Sequence, residues 1–228
     1  MYQVQLKEFY AKQNDILHDV VEEKRPKKRK NAALAYFRGK FFLIGGKLNN
    51  TACKSVWIFD SNVDQIKLST LNGYSSPNYK QHSSVSFNSC VYFFGGWNET
   101  LGISSDVTKF DPKSLTSSIV KCASKVAPSP RYGHSAVVYS SCMLIIGGID
   151  NNLTCCSDMW MFNFLSSRWE EIKPASIRLA IHSHCAVLSN VHIIVTGGKL
   201  ADDSNNEDCW IFSLTVTHRM ETLSRWRD

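Results

Sequence analysis

Four pairs of adjacent glycines, Gly45-Gly46, Gly95-Gly96, Gly147-Gly148 and Gly197-Gly198, punctuate this chain at intervals of 50, 52 and 50 residues. A chain that repeats at such a period builds one small supersecondary unit several times over, and each unit buries its apolar face against the next. Other features keep the same step. An apolar run precedes each pair (Phe41 to Ile44, Val91 to Phe94, Met143 to Ile146, Ile193 to Thr196), and Phe59, Phe110, Phe162 and Phe212 follow 13 or 14 residues after the second glycine. Thirteen residues before the first glycine stand Ala32, His82, His134 and His184.

Within each copy the pattern predicts four short strands separated by turn residues. The first carries the histidine position, the second ends at the diglycine, the third holds the phenylalanine, and the fourth crosses a position seven residues later. That position is Ile66, Ser117, Trp169 or Arg219. Four strands per unit, repeated around an axis, make a β-propeller. The expected fold is therefore all-β, with units at about 31–73, 80–124, 130–174 and 181–226 inside a propeller region 31–228. The expected role of the glycines, of the four phenylalanines and of Trp169 is scaffold: glycine permits close backbone approach, and large rings fill the wedge between units.

The diglycine, the aromatic after it, the tryptophan seven residues further and an Arg-x-Gly-His opening together resemble the kelch repeat. The third copy carries the full set, Arg131, Gly133, His134, Gly147, Gly148, Phe162 and Trp169, with phenylalanine where tyrosine is usual. The resemblance spans about 30 to 225. It implies a protein-interaction propeller. Four copies fall short of the about six blades common among such proteins. Three arrangements then stay open: a fragment, a small four-bladed ring, or a ring completed by another chain.

Ahead of the repeats, residues 1–23 differ in character. Leu6, Phe9, Tyr10, Ile16, Leu17, Val20 and Val21 keep helical spacing, which predicts a short amphipathic α-helix. The segment from Lys24 to Lys30 has six basic residues in seven, and reads as a solvated linker or a nuclear-localisation signal. Helix, basic linker and repeats in this order resemble the junction of BTB-BACK-kelch proteins. That resemblance implies substrate recognition for a cullin-type ubiquitin ligase. The cullin-binding BTB region has no counterpart here, so a cullin could be reached only through a BTB region absent from these residues. An actin-binding cytoskeletal protein is the alternative, and a kelch-fold metalloenzyme a third.

Charge narrows the partners. The net charge is +6, but setting the six linker residues aside leaves 20 basic and 20 acidic residues, so the propeller is not a basic surface for nucleic acid. No apolar run is long enough to span a membrane, and residues 1–8 lack a signal-peptide apolar region. A cytoplasmic protein is expected. Eight cysteines show no C-x-x-C pair, and several lie in apolar strands, which suits reduced thiols. Sequons at Asn49, Asn98 and Asn152 all fall in the turn after a diglycine, where asparagine serves backbone geometry.

By the resemblance, ligands of kelch propellers meet the loops before the first strand and after the diglycine. This points to Arg131 and Tyr132, the corresponding Arg29 and Tyr79, and the turn Asp150, Asn151 and Asn152 as partner contacts; Arg131 could instead cap its own unit. Arginine suits the first role because its planar fork binds carboxylates. His82, His134 and His184 recur at one position, and each is expected to satisfy a backbone partner in its own unit rather than to bind a metal. No G-x-S-x-G, P-loop or H-E-x-x-H is present, and no cofactor or catalytic residue is assigned.

Overall fold

A computed structural model describes residues 26, 28–48, 51–53, 56–63, 65–69, 72–73, 79–173, 179–214 and 220–226. The amphipathic segment 1–23 lies outside them. Every regular element among the described residues is a strand. The longer strands form four sheets in chain order, each with four antiparallel strands at its centre, which we number units 1 to 4; two-residue strands add three small sheets and, in unit 2, a parallel edge pairing of Asn72–Gly73.

Unit 3 shows the plan most simply. Ser135–Tyr139, Cys142–Ile146, Met159–Asn163 and Arg168–Ile172 lie side by side in that order. Phe162 sits directly opposite Trp169. Unit 1 uses Lys30–Phe37, Lys40–Leu48, Val56–Asp60 and Gln65–Ser69, and unit 2 uses Ser83–Phe87, Cys90–Phe94, Val107–Asp111 and Thr116–Ile119. The seven-residue count holds in both, with Phe59 opposite Ile66 and Phe110 opposite Ser117. The basic run does not stop short of the sheet, since Lys30 already pairs with Lys47.

Unit 4 departs from the count. Its strands are Cys185–Ser189, His192–Thr196, Cys209–Leu214 and Met220–Trp226, with a register shift between Ile211 and Phe212. A longer connection carries the last strand out of step, so Thr222 rather than Arg219 lies opposite Phe212. Arg219 itself is outside the described residues.

Alternation along the strands gives each sheet two apolar faces. One face of unit 1 (Ala33, Ala35, Phe42, Ile44, Val56) packs on Val91, Phe93 and Phe110 of unit 2. The other face of unit 2, through Phe94 and Val107, meets Met143, Ile145, Phe162 and Trp169 of unit 3. Ile146 and Met161 of unit 3 then meet Ile193, Val195 and Phe212 of unit 4. Rings supply much of the filling. Phe94 and Trp169 cross edge-on at 5.0 Å between centroids, and Phe42 and Phe110 at 5.7 Å, geometries that aromatic quadrupoles favour.

The first strands of units 1, 2, 3 and 4 lie against one another in sequence and so face the axis. At the leading ends of these strands runs a chain of backbone hydrogen bonds. Ser183 N–H donates to Gly133 O at 2.6 Å, Gly133 N–H to Gln81 O at 2.9 Å, and Gln81 N–H to Asn31 O at 3.3 Å. All four residues have positive φ, between 55° and 67°, although only one is glycine. Among the described residues no comparable packing joins the first strands of units 1 and 4. The four-bladed ring considered from sequence is therefore not closed by these contacts.

Candidate functional site

In each unit the second strand ends at the same side of the sheet where the first begins, so the entry segment and the turn after the diglycine meet there. Lys80 pairs with Trp97, Arg131 with Asp150, Tyr132 with Ile149, and His182 with Lys199. This end is the mouth on which the expected contacts converge.

Arg131 is drawn into that mouth but not to its surface. Its side chain is 0% exposed. The guanidinium makes a bidentate pair with Asp158, at 2.6 and 2.9 Å, and donates to Gly147 O at 3.0 Å and to both the carbonyl and hydroxyl of Ser129. Burial alone would raise the pKa of Asp158; the hydrogen bond and charge of Arg131, with the Trp160 indole donor, outweigh it and hold the carboxyl below its usual range. Arg131 thus lies beneath the loop surface, where it holds Ser129, Gly147 and Asp158 together. Arg29 repeats the arrangement, donating to Gly45 O at 3.2 Å. In unit 4, where Ile181 occupies the arginine position, Asn206 Nδ2 supplies the bond to Gly197 O. Tyr79 is also buried.

Tyr132 is half-buried, and its ring lies 6.4 Å from that of Trp97 on the preceding unit. Above Trp97, Lys80 Nζ sits 3.5 Å from the ring centroid and 2.6 Å from Glu99 Oε1. A cation held between a ring face and a carboxylate is fixed in place despite its long stem. The bond to Lys80 in turn lowers the pKa of Glu99. Trp97 was not singled out from sequence, although its place directly after Gly96 is the signal that identifies it.

Asp150 shapes the turn rather than offering its charge outward: Oδ1 accepts from Asn152 N–H at 2.8 Å and Thr154 N–H at 2.9 Å. Asn151, Asn152 and Leu153 project from it, exposed. The turn role expected of the sequon asparagines is met by buried Asn98, whose Oδ1 accepts from Thr100 and Leu101. Asn152 leaves that role to Asp150, and Asn49 lies outside the described residues. Further round, His182 flanks Lys199, which pairs with Asp203 at 2.8 Å.

Two of the three repeated histidines depart from the expected backbone partner in their own unit. His82 does bond a carbonyl of its own unit, Tyr79 O at 2.9 Å. His134 and His184 instead reach across to the preceding unit, with Nε2 at 2.8 Å from Ser83 Oγ and 2.7 Å from Ser135 Oγ. Burial pushes His82 and His184 down to about 4, and His134, also repelled by the Arg131 charge, to about 3. All three are neutral at pH 7. Among the described residues no three His, Cys, Asp or Glu side chains converge as metal ligands would. None of the eight thiols is paired, and burial raises that of Cys155 to about 11.

The comparisons agree with this architecture. The KLHDC2/KLHL20/DRC7 Kelch-repeats domain matches residues 81–225. Bovine Kelch-like protein 36 is 28% identical over 200 residues, covering 81% of this chain and 29% of that protein. Bovine Kelch domain-containing protein 3 is 26% identical over 185 residues, 75% of this chain and 48% of its own length. A Drosophila melanogaster leucine-zipper-like transcriptional regulator 1 homolog is 29% identical over 155 residues, 65% of this chain and 16% of its own. The chain thus spans at most about half the length of these relatives. A solved structure, that of YjhT, superposes with a TM-score of 0.71 at 15% identity over 88% of this chain and 67% of the other, a likeness of fold. With a matched domain covering well over half its residues, this β-propeller chain belongs to the kelch-repeat family.

Proposed function

We propose that the chain is a non-enzymatic docking module, four consecutive kelch blades whose diglycine-side mouth binds a protein or peptide, in the manner of a substrate-recognition propeller of a cullin-type ubiquitin ligase. The observation that carries this reading is the pairing of Trp97 with Tyr132 across two units, flanked by Lys80 and Glu99. Partly exposed tryptophan and tyrosine are the residue types that anchor protein interfaces, because each brings large apolar area with few torsions to freeze. Asn151 and Asn152 add adaptable hydrogen bonding at the rim, while Asp150, Arg131, Arg29 and Tyr79 serve from beneath by setting the loops. Kelch-family membership supports a protein partner, and the adaptor form rests on the resemblance in the sequence to BTB-BACK-kelch proteins.

The test compares proteins captured in cells by the unaltered chain and by a Trp97→Ala, Tyr132→Ala double variant of equal thermal stability. Partners that depend on both rings support the proposal, and cullin-ligase components among them support the adaptor form. Identical partner sets from both proteins overturn the assignment of the mouth. Co-sedimentation with actin filaments that survives the double variant would favour the cytoskeletal alternative.

A further inference from the structure

The joints of units 2 and 3 and of units 3 and 4 are directional. At the joint of units 2 and 3, Gly96 N–H donates to Arg131 O at 2.8 Å, Arg131 N–H returns to Ser104 O at 3.2 Å, and Gly133 N–H bonds Gln81 O. The joint of units 3 and 4 repeats this: Gly148 N–H to Ile181 O at 2.8 Å, Ile181 N–H to Cys156 O at 3.4 Å, and Ser183 N–H to Gly133 O. The leading unit therefore receives a short extended segment from the unit that follows. The first glycine of the pair is where that segment comes closest. A Cβ on Gly95 would strike the Arg131 carbonyl, and one on Gly147 the Ile181 carbonyl.

Unit 4 has the same receiving face, and among the described residues nothing fills it. A Cβ on Gly197 would meet no atom within 4 Å. Cys185 stands where Ser83 and Ser135 each hold a histidine of the next unit, and it is exposed. Val187, the counterpart of buried Val137, is 56% exposed. At the opposite end, unit 1 shows the inserting face. Leu34 is 61% and Tyr36 55% exposed, and Tyr36 stacks toward Phe41, which in turn leans on Phe59.

We propose that the open face of unit 4 receives unit 1 of a second copy of this chain, in a head-to-tail joint that repeats the internal ones. The two faces match in backbone geometry and in charge. Lys28-Arg29-Lys30-Asn31 is the entry segment equivalent to Pro130-Arg131-Tyr132-Gly133, and Asn31 already has the φ of 58° that Gly133 and Ser183 approach at their joints. Asn31 N–H would therefore be directed to Ser183 O, as Gly133 N–H is to Gln81 O. Charge agrees: exposed Lys28 and Lys30 would enter beside exposed Glu207, which adjoins the Asn206 that takes the place of Ser104 and Cys156. Where the joints of units 2 and 3 and of units 3 and 4 match histidine to serine, this one sets Ala32 against Cys185, a small apolar pair on both sides. Such a heterologous contact either closes a ring or propagates.

Sedimentation velocity on the 228-residue chain tests this directly. Self-association is expected at about 10 to 100 μM protein. Val187→Asp and Tyr36→Asp change side chains already exposed, so each variant should keep the native melting profile, yet each alone should weaken association about tenfold or more. Mixed in equal amounts, the two variants should form a one-to-one dimer, because one retains the inserting face and the other the receiving face. Gly197→Ala should block association as a receiving-face variant. A chain that stays monomeric throughout the concentration range overturns the proposal, as does a mixture of the two variants that remains monomeric or a Gly197→Ala chain that associates normally.

Discussion

His184 Nε2 lies 2.7 Å from Ser135 Oγ, so an imidazole just ahead of the first strand of one unit is held by a hydroxyl at the start of the first strand of the unit before it. His134 and Ser83 repeat the relation one joint earlier. The polar side chains nearest the axis thus hold units together, and their burial keeps the imidazoles neutral.

Neutral buried histidines make stability depend on acidity. The three native values of about 4, 3 and 4 lie below the unfolded value of 6.5, so the unfolded chain takes up more protons as the pH falls. Stability from this source is complete above pH 6.5 and is lost progressively as pH drops toward the native values. Urea midpoints should be level from pH 8 to about 7 and fall between about pH 6.5 and 4. A midpoint that rises on acidification across that window would contradict the burial of these rings.

The joint of units 1 and 2 lacks the serine. Ala33 occupies the position of Ser83 and Ser135, and the buried Nε2 of His82 has no hydrogen-bond partner among the described residues. Ala33→Ser should supply one and stabilise the chain by about 1 kcal/mol. Thermal melts would read the gain, and it should vanish when His82→Phe is added.

Removing one member of the Arg131 and Asp158 pair strands the other. Asp158→Ala leaves a fully buried guanidinium unpaired and should cost about 3 kcal/mol in chemical denaturation. Arg131→Lys should also be costly, since a single ammonium cannot reach the carboxylate in bidentate fashion and cap Gly147 O together. If either change left stability intact while abolishing partner capture, Arg131 would be a contact after all.

Glycine substitutions should rank by what lies beyond them. Gly147→Ala drives a methyl into the Ile181 carbonyl and should unfold the joint of units 3 and 4, whereas Gly197→Ala meets open space and bears only the strain of a φ of 66°, about 1 kcal/mol. Equal destabilisation of the two variants would show that the receiving face of unit 4 is filled within the same chain.

The repeat was legible because its determinants are local: glycines at positive φ and alternating apolar residues announce themselves in any copy. Thr222 opposite Phe212 was not legible, since a longer connection and a register shift displace the last strand without changing the residues that mark it. Nor were the fates of Arg131 and Trp97. Both precede or follow the scaffold by one or two residues, and which one turns inward depends on Asp158, a carboxylate 27 residues away that draws the guanidinium under the loop. The histidine bonds escaped for a similar reason, their partners being 49 and 51 residues distant.

The left-handed residues Asn31, Gln81, Gly133 and Ser183 share a conformation but no side-chain chemistry, and they are linked through main-chain atoms alone. A connection written in the backbone asks nothing of neighbouring sequences except that shape. Copies can then diverge, or be duplicated and lost whole, without two partners having to change together, and the drift of three copies away from the tryptophan of the third is the freedom such a main-chain splice permits.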